Sequence, residues 1–269
     1  MGSLTDTHCH LNLTTFQDDL ADVLERAQES GVNRILIPGI DLATSRLAVD
    51  IAERYPQVYA AVGVHPSEAI AWDDSTLLEL ENLAHHPRVV AIGEIGLDYY
   101  RDHAPRDLQR KIFHEQLELA FDAGLPVSIH NRLAFDDLWT ELSGWQEGMR
   151  AQNSALAALP GVLHSFDGTI SQGIQAMQNG FFLGISGPVT FKNAHARQAL
   201  VKEIPISAIL IETDAPFLSP DPYRGRRNEP AYTGYIVKKI AALHQMEFDA
   251  VAQETAINAA RLFAWGAEI

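Results

Sequence analysis

A single (β/α)8 barrel spanning residues 1–269 is the fold this sequence predicts, and three observations predict it. Short apolar runs alternate with amphipathic helical stretches almost from end to end. Eight such units fit the length of the chain, and ionisable residues recur just after the runs, at the strand ends where a barrel carries its chemistry.

The apolar runs are Leu4–Cys9, Arg34–Pro38, Val58–Val64, Val89–Gly93, Pro126–Ile129, Val162–Leu163, Phe181–Ile185 and Ala208–Ile211. Most are continuous and rich in β-branched residues, as suits parallel strands buried on both faces and joined by right-handed crossovers. Between them, Asp18–Ser30 and Arg106–Ala123 space apolar residues by three and four, and Gly31 and Gly124 stand where a left-handed cap belongs. An open doubly wound sheet is the competing fold, but no GxGxxG turn follows the first strand. Ser143–Ala158 fits least well: SGWQEGMRAQNS breaks the helical pattern and predicts a longer helix or a surface excursion.

Composition narrows the function. Apolar residues make up 46% and charged residues 20%, enough for a sizeable core and far from a disordered chain. The net charge of −15 argues against a broad nucleic-acid-binding face, while leaving open a phosphate substrate held by local cations or metals. No apolar run approaches the roughly 20 residues of a membrane span. Met1-Gly2-Ser3-Leu4 has neither the basic nor the apolar segment of a leader, and the lone Cys9 rules out an internal disulfide. A cytoplasmic protein with no membrane association and no obligatory protein partner is expected.

The polar residues are more specific. His8 and His10 end the first strand, Glu94 follows the fourth, His130 the fifth, His164 the sixth and Asp214 the eighth. Side chains alternate along a strand, so His8 and His10 share a side and Cys9 faces away as a small apolar filler. A lone histidine after a strand is usually a satisfied core or loop residue. Four imidazoles and two carboxylates at one barrel mouth are costly to bury without a counter-ion, and divalent metals supply it. Six ligands exceed one tetrahedral ion and favour two bridged by a carboxylate, with one metal and two substrate-contacting histidines as the fallback. His65 reads as a substrate contact or a structural residue, and Asp98 as a loop anchor. Arg224 through Pro230, in the loop after strand eight, is the densest cationic stretch; there Arg226 and Arg227, joined by Arg132, are candidates for holding phosphate. With no nucleophile elbow in the chain, the chemistry should use metal-activated water, which Asp214 would orient or deprotonate.

These motifs, Asp6-Thr7-His8-Cys9-His10-Leu11, Gly63-Val64-His65-Pro66, Gly93-Glu94-Ile95-Gly96-Leu97-Asp98-Tyr99, His130-Asn131-Arg132, His164-Ser165-Phe166, Glu212-Thr213-Asp214-Ala215-Pro216 and Arg224 through Pro230, span nearly the whole chain. In that order they resemble the TatD family of metal-dependent hydrolases, within the amidohydrolase-like barrels. The resemblance implies a binuclear centre in which His8, His10 and Asp214 hold one ion, His130 and His164 the other, and Glu94 bridges them. It further implies magnesium or manganese for activity, with zinc or nickel admissible as bound ions. The implied substrate is nucleic acid: DNA for a deoxyribonuclease, in some members a 3′-to-5′ exonuclease on single strands, or tRNA for a D-aminoacyl-tRNA deacylase.

Overall fold

A computed structural model describes residues 4–101 and 103–265; the expected leaderless start at Met1–Ser3 lies outside them. Among the described residues eight strands form one sheet in sequential order, alternating with helices as a (β/α)8 barrel. They are β1 (Leu4–Asp6), β2 (Val32–Pro38), β3 (Val58–Val62), β4 (Val89–Asp98), β5 (Val127–Arg132), β6 (Gly161–Leu163), β7 (Phe182–Ile185) and β8 (Ile209–Ile211). The helices are α1 (Leu20–Glu29), α2 (Leu42–Arg54), α3 (Asp74–Ala84), α4 (Arg106–Ala123), α5 (Phe135–Ala151), α6 (Ile170–Gln178), α7 (His195–Glu203), α8 (Thr233–His244) and α9 (Phe248–Phe263).

The chain divides into two compact units: residues 38–164, and the described residues up to 37 together with those from 165 onward. In the 38–164 unit, β3 to β6 pair in parallel, with register shifts between Ala60 and Ala61 and between Ile92 and Ile95. The strand β4 is twice the length its apolar run suggests, and all ten of its residues are buried. Glu94 and Asp98 therefore sit inside a strand, with Gly96 opposite His130 and Asp98 opposite Arg132 on β5. Extra length in β4 and β5 is what turns a predicted loop acid and a predicted strand-end histidine into neighbours.

Helix ends here are set by local chemistry. Asp41 and Thr44 form a reciprocal capping box on α2, satisfying backbone donors that would otherwise be orphaned. Helix α4 matches its predicted span and ends at Gly124, whose φ of 66° is the left-handed cap that a side chain would resist. Helix α5 runs unbroken through Ser143 and Trp145 and is followed by a short 3-10 turn, Ala155–Ala158. Its glycines, Gly144 and Gly148, lie in open space, and the irregular stretch is the longer helix as far as Ala151.

In the other unit β1 pairs with β2 and β7 with β8. Beyond the last paired residue of β1, the extended segment continues: the Cys9 amide donates to Leu36 O (3.0 Å) and the His10 amide to Ala215 O (2.7 Å). The Thr7 amide donates to Ile211 O (3.0 Å) and the Asp214 amide to His8 O (2.9 Å), so the ends of β1 and β8 run side by side. Helix α9 packs over both strands with Val251, Ala252, Thr255, Ala259 and Leu262 buried. Among the described residues no helix is long and apolar enough to cross a membrane.

Gly96 has a φ of 139°, and a Cβ there would collide with the carbonyl of His130. Gly96→Ala should lower unfolding stability in urea by about 2–4 kcal/mol, from strained backbone and overpacking. A loss below about 0.5 kcal/mol, the scale of a surface substitution, would refute this account of the β4–β5 approach.

Candidate metal centre

Each unit brings some of the predicted ligands together. In the 38–164 unit the buried Glu94 carboxylate is the centre: its Oε1 lies 3.0 Å from His130 Nδ1, 3.1 Å from His164 Nε2 and 3.7 Å from His65 Nε2. The strands β4, β5 and β6 deliver Glu94, His130 and His164, while His65 stands just beyond β3 and caps the turn Pro66–Ala71.

Tautomers separate these histidines into roles. Nδ1 of His65 accepts the Ser67 amide at 3.1 Å, so in the neutral ring the proton sits on Nε2 and His65 is a donor. His130 is held from its other nitrogen, Nε2, by Asp98 Oδ2 at 3.1 Å, the carboxylate support that orients many metal-bound imidazoles. Asp98 keeps its predicted task as well, since its Oδ1 accepts the amides of Tyr100 and Arg101, each at 2.9 Å. Burial pushes the Asp98 carboxyl up, but His130 and these two amides outweigh it and hold the pKa well below the usual carboxylate range. For His130, burial works against the charged ring and hydrogen bonds to Asp98 and Glu94 prevail, giving a net upward shift.

In the second cluster the predicted same-side geometry holds: Nε2 of His8 and Nε2 of His10 face each other at 3.2 Å, and His10 Nε2 lies 3.5 Å from Asp214 Oδ1. Two buried imidazoles presenting the same nitrogen to one point, beside a carboxylate, form a donor set suited to a divalent cation. The residues thus fit the metal that the sequence implies. Cys9 is fully buried, burial raises its thiol pKa well above the usual value, and it belongs to no convergent group among the described residues.

Sequence reasoning missed what holds this cluster. Asp6, fully buried, accepts the Thr213 amide (2.9 Å) and hydroxyl (2.6 Å), and Oδ1 also lies 3.3 Å from the His8 amide. Burial raises the Asp6 pKa to about 7 against the pull of the Thr213 and His8 bonds. Asp214, next in the chain, takes a left-handed φ of 57°, a conformation costing on the order of 1–3 kcal/mol at a non-glycine residue and kept where neighbours over-determine it. Asn228 supplies more of that determination. Its buried amide donates to Thr213 O (2.8 Å) and Phe217 O (2.7 Å). The sequence signal was membership of the quoted motifs, in which Asp6, Thr213 and Asn228 all stand.

The arginines separate. Arg227 is engaged: Asp19 takes both guanidinium nitrogens at 2.8 and 2.6 Å and Glu229 adds a contact at 3.0 Å, with the group 4.7 Å over the Phe16 ring. Arg26 joins the same acids. By contrast Arg226 is exposed and has no acidic partner among the described residues. The Arg132 guanidinium lies 3.8 Å from the Tyr100 ring centroid, likewise with no acidic partner among the described residues, and that of Arg224 lies 4.1 Å from the Phe191 centroid.

A model of the family described as "TatD related DNase" matches residues 5–264. The chain belongs to the TatD family. It is 44% identical over 260 residues to a metal-dependent hydrolase, YabD, of Bacillus subtilis, covering 97% of this chain and 98% of that protein. To a protein named 3′-5′ ssDNA/RNA exonuclease TatD of Musicola paradisiaca it is 36% identical over 267 residues, covering 97% and 98%. The crystal structure of the TatD homologue YJJV of Escherichia coli superposes with a TM-score of 0.89 at 30% identity, covering 97% and 98%. This TatD-family chain is a metal-dependent hydrolase with histidines and acids positioned to bind metal.

Thr213→Val removes the hydroxyl clamp but no ligand, and should weaken metal binding by about 10–100-fold, the usual effect of losing a group that orients a ligand. Cys9→Ser should retain the wild-type metal content and His10→Ala should lose or weaken one ion. Elemental analysis after dialysis checks all three, and loss of metal from Cys9→Ser would contradict the register of β1.

Proposed function

We propose that the protein is a metal-dependent nuclease that hydrolyses phosphodiester bonds in single-stranded DNA, working from the 3′ end, with residues 1–269 acting as one catalytic domain. The observation that carries this reading is the pair of buried nitrogen-and-carboxylate clusters. The relative named as a single-strand exonuclease supports the substrate and the polarity. His8, His10 and Asp214 would hold one divalent cation and His130 and His164 another, with Glu94 shared. Magnesium or manganese would support turnover; four imidazoles also accommodate zinc or nickel. When bound, such cations polarise a phosphoryl oxygen and acidify water.

The chain's own groups divide the remaining work. Asp214, fixed by Thr213 and Asn228, orients the attacking water and accepts its proton at a carboxylate oxygen. His65, with its proton on Nε2, donates to a phosphate oxygen. Glu94 and Asp98 keep His130 aligned. Arg226 and Arg132 hold flanking phosphates through guanidiniums that make no ion pair with an acid among the described residues. Arg227 is locked to Asp19 and Glu229, and its contribution to phosphate binding is the shape of the loop that carries Arg226.

Metal-loaded protein given single-stranded oligonucleotides and D-aminoacyl-tRNA side by side should degrade the DNA, with Asp214→Asn about 10²–10⁴-fold slower in kcat. Intact DNA beside deacylated tRNA would replace the nuclease with an ester hydrolase. Arg226→Ala and Arg132→Ala should each raise KM and reduce the salt dependence of binding by roughly one phosphate contact. Arg227→Ala should mainly lower the melting temperature; a larger KM effect than Arg226→Ala would reverse these assignments.

A further inference from the structure

We infer that Phe217 is a stacking platform for a nucleobase beside the scissile phosphodiester, a subsite that rests on the nuclease reading and gives it a base contact. Most large apolar side chains in the unit are buried, yet Phe217 is 52% exposed and its neighbour Leu218 is 39% exposed. Scattered exposed apolar residues are ordinary, so exposure alone decides nothing. What distinguishes Phe217 is where it stands and how firmly. Its ring lies 6.1 Å from that of His10, centroid to centroid, at 69°, directly beside a proposed metal ligand. Its amide donates to Asp214 O at 2.8 Å.

The backbone beneath it is held from several directions. The buried Asn228 side chain donates to Phe217 O, and the Asn228 amide donates to Pro216 O at 3.1 Å. Leu218 is in the left-handed region at φ 53°, with its carbonyl pressed against Gly187, where a Cβ would collide with it. The Ser219 hydroxyl closes the loop onto Arg226 O. A mobile hydrophobic tip needs none of this. A rigid aromatic face displayed next to His10 and Asp214, in the loop that also carries the exposed Arg226, matches what single-stranded nucleic acid offers: a flat unstacked base joined to a phosphate. The contact tolerates any base, because each has a π-face, and it favours strands over duplex, whose bases are already stacked. In so acidic a protein, base stacking also gives affinity that does not depend on an extended cationic track.

The test pairs the ring with the base. Wild type, Phe217→Ala, Phe217→Leu and Phe217→Trp, each checked for wild-type metal content, are assayed on an oligonucleotide and on copies abasic at one or other nucleotide flanking the first bond cut. Phe217→Ala and Phe217→Leu should raise KM about tenfold or more on the normal strand, within the range of base–aromatic stacking. Phe217→Trp should retain wild-type KM. On one of the abasic strands wild type should fall to the level of Phe217→Ala, with no further loss in the variant. A 2-aminopurine at that nucleotide should be quenched on binding to wild type and not to Phe217→Leu. Equal losses on normal and abasic strands, full activity in Phe217→Leu, or loss of metal from both Phe217→Ala and Phe217→Leu would overturn the platform while leaving a nuclease. Metal-loaded wild type that cuts none of the strands would overturn the nuclease reading, and the platform with it.

Discussion

A buried carboxylate binds the ends of the first and last strands together. Asp6 is fully buried, and it takes its hydrogen bonds from the Thr213 amide and hydroxyl and the His8 amide. Those contacts place His8 and Asp214 on adjoining backbones, with the Asp214 amide donating to the His8 carbonyl. A buried acid left without them would cost several kcal/mol, so the pairing is enforced by desolvation as much as by attraction. His10 is delivered two residues on by strand alternation, and the left-handed turn at Asp214 is tolerated because Asn228 and Thr213 leave it no other path.

The other unit solves the same problem with different parts. There the central group is Glu94, surrounded by imidazole nitrogens, with Asp98 behind His130 fixing which nitrogen faces it. Both clusters concentrate lone pairs where solvent is largely excluded, an arrangement that a divalent cation stabilises and that few other ligands would. Acidity outside the clusters does not oppose a phosphate substrate if attraction is local. In the proposed nuclease Arg132 and Arg226, each near an aromatic ring and without an acidic partner among the described residues, would supply that locality.

Much of this was legible in the chain because barrels write their function at strand ends. His8, His10, Glu94, His130, His164 and Asp214 each follow a readable apolar run, and the strands stand in sequential order in the sheet. Two kinds of feature were not legible. The extension of β4 through Gly96 to Asp98 depends on close approach to the His130 backbone, which glycine permits but does not announce. The split between Arg226 and Arg227 depends on Asp19, more than two hundred residues away in sequence, and no local pattern reveals which of two adjacent arginines a distant acid will take. Asp6 and Asn228 stand in the quoted motifs without a readable role for a related reason: most of their hydrogen bonds go to backbone, and backbone partners leave no trace in residue type.

The central claim is that these strand-end groups hold two cations. A manganese-soaked crystal of the protein, measured at a wavelength where manganese scatters anomalously, tests it most directly. The account predicts two anomalous peaks per chain, one bounded by His8, His10 and Asp214 and one by Glu94, His130 and His164. No peak, a lone peak at full manganese occupancy, or peaks away from these residues would contradict it.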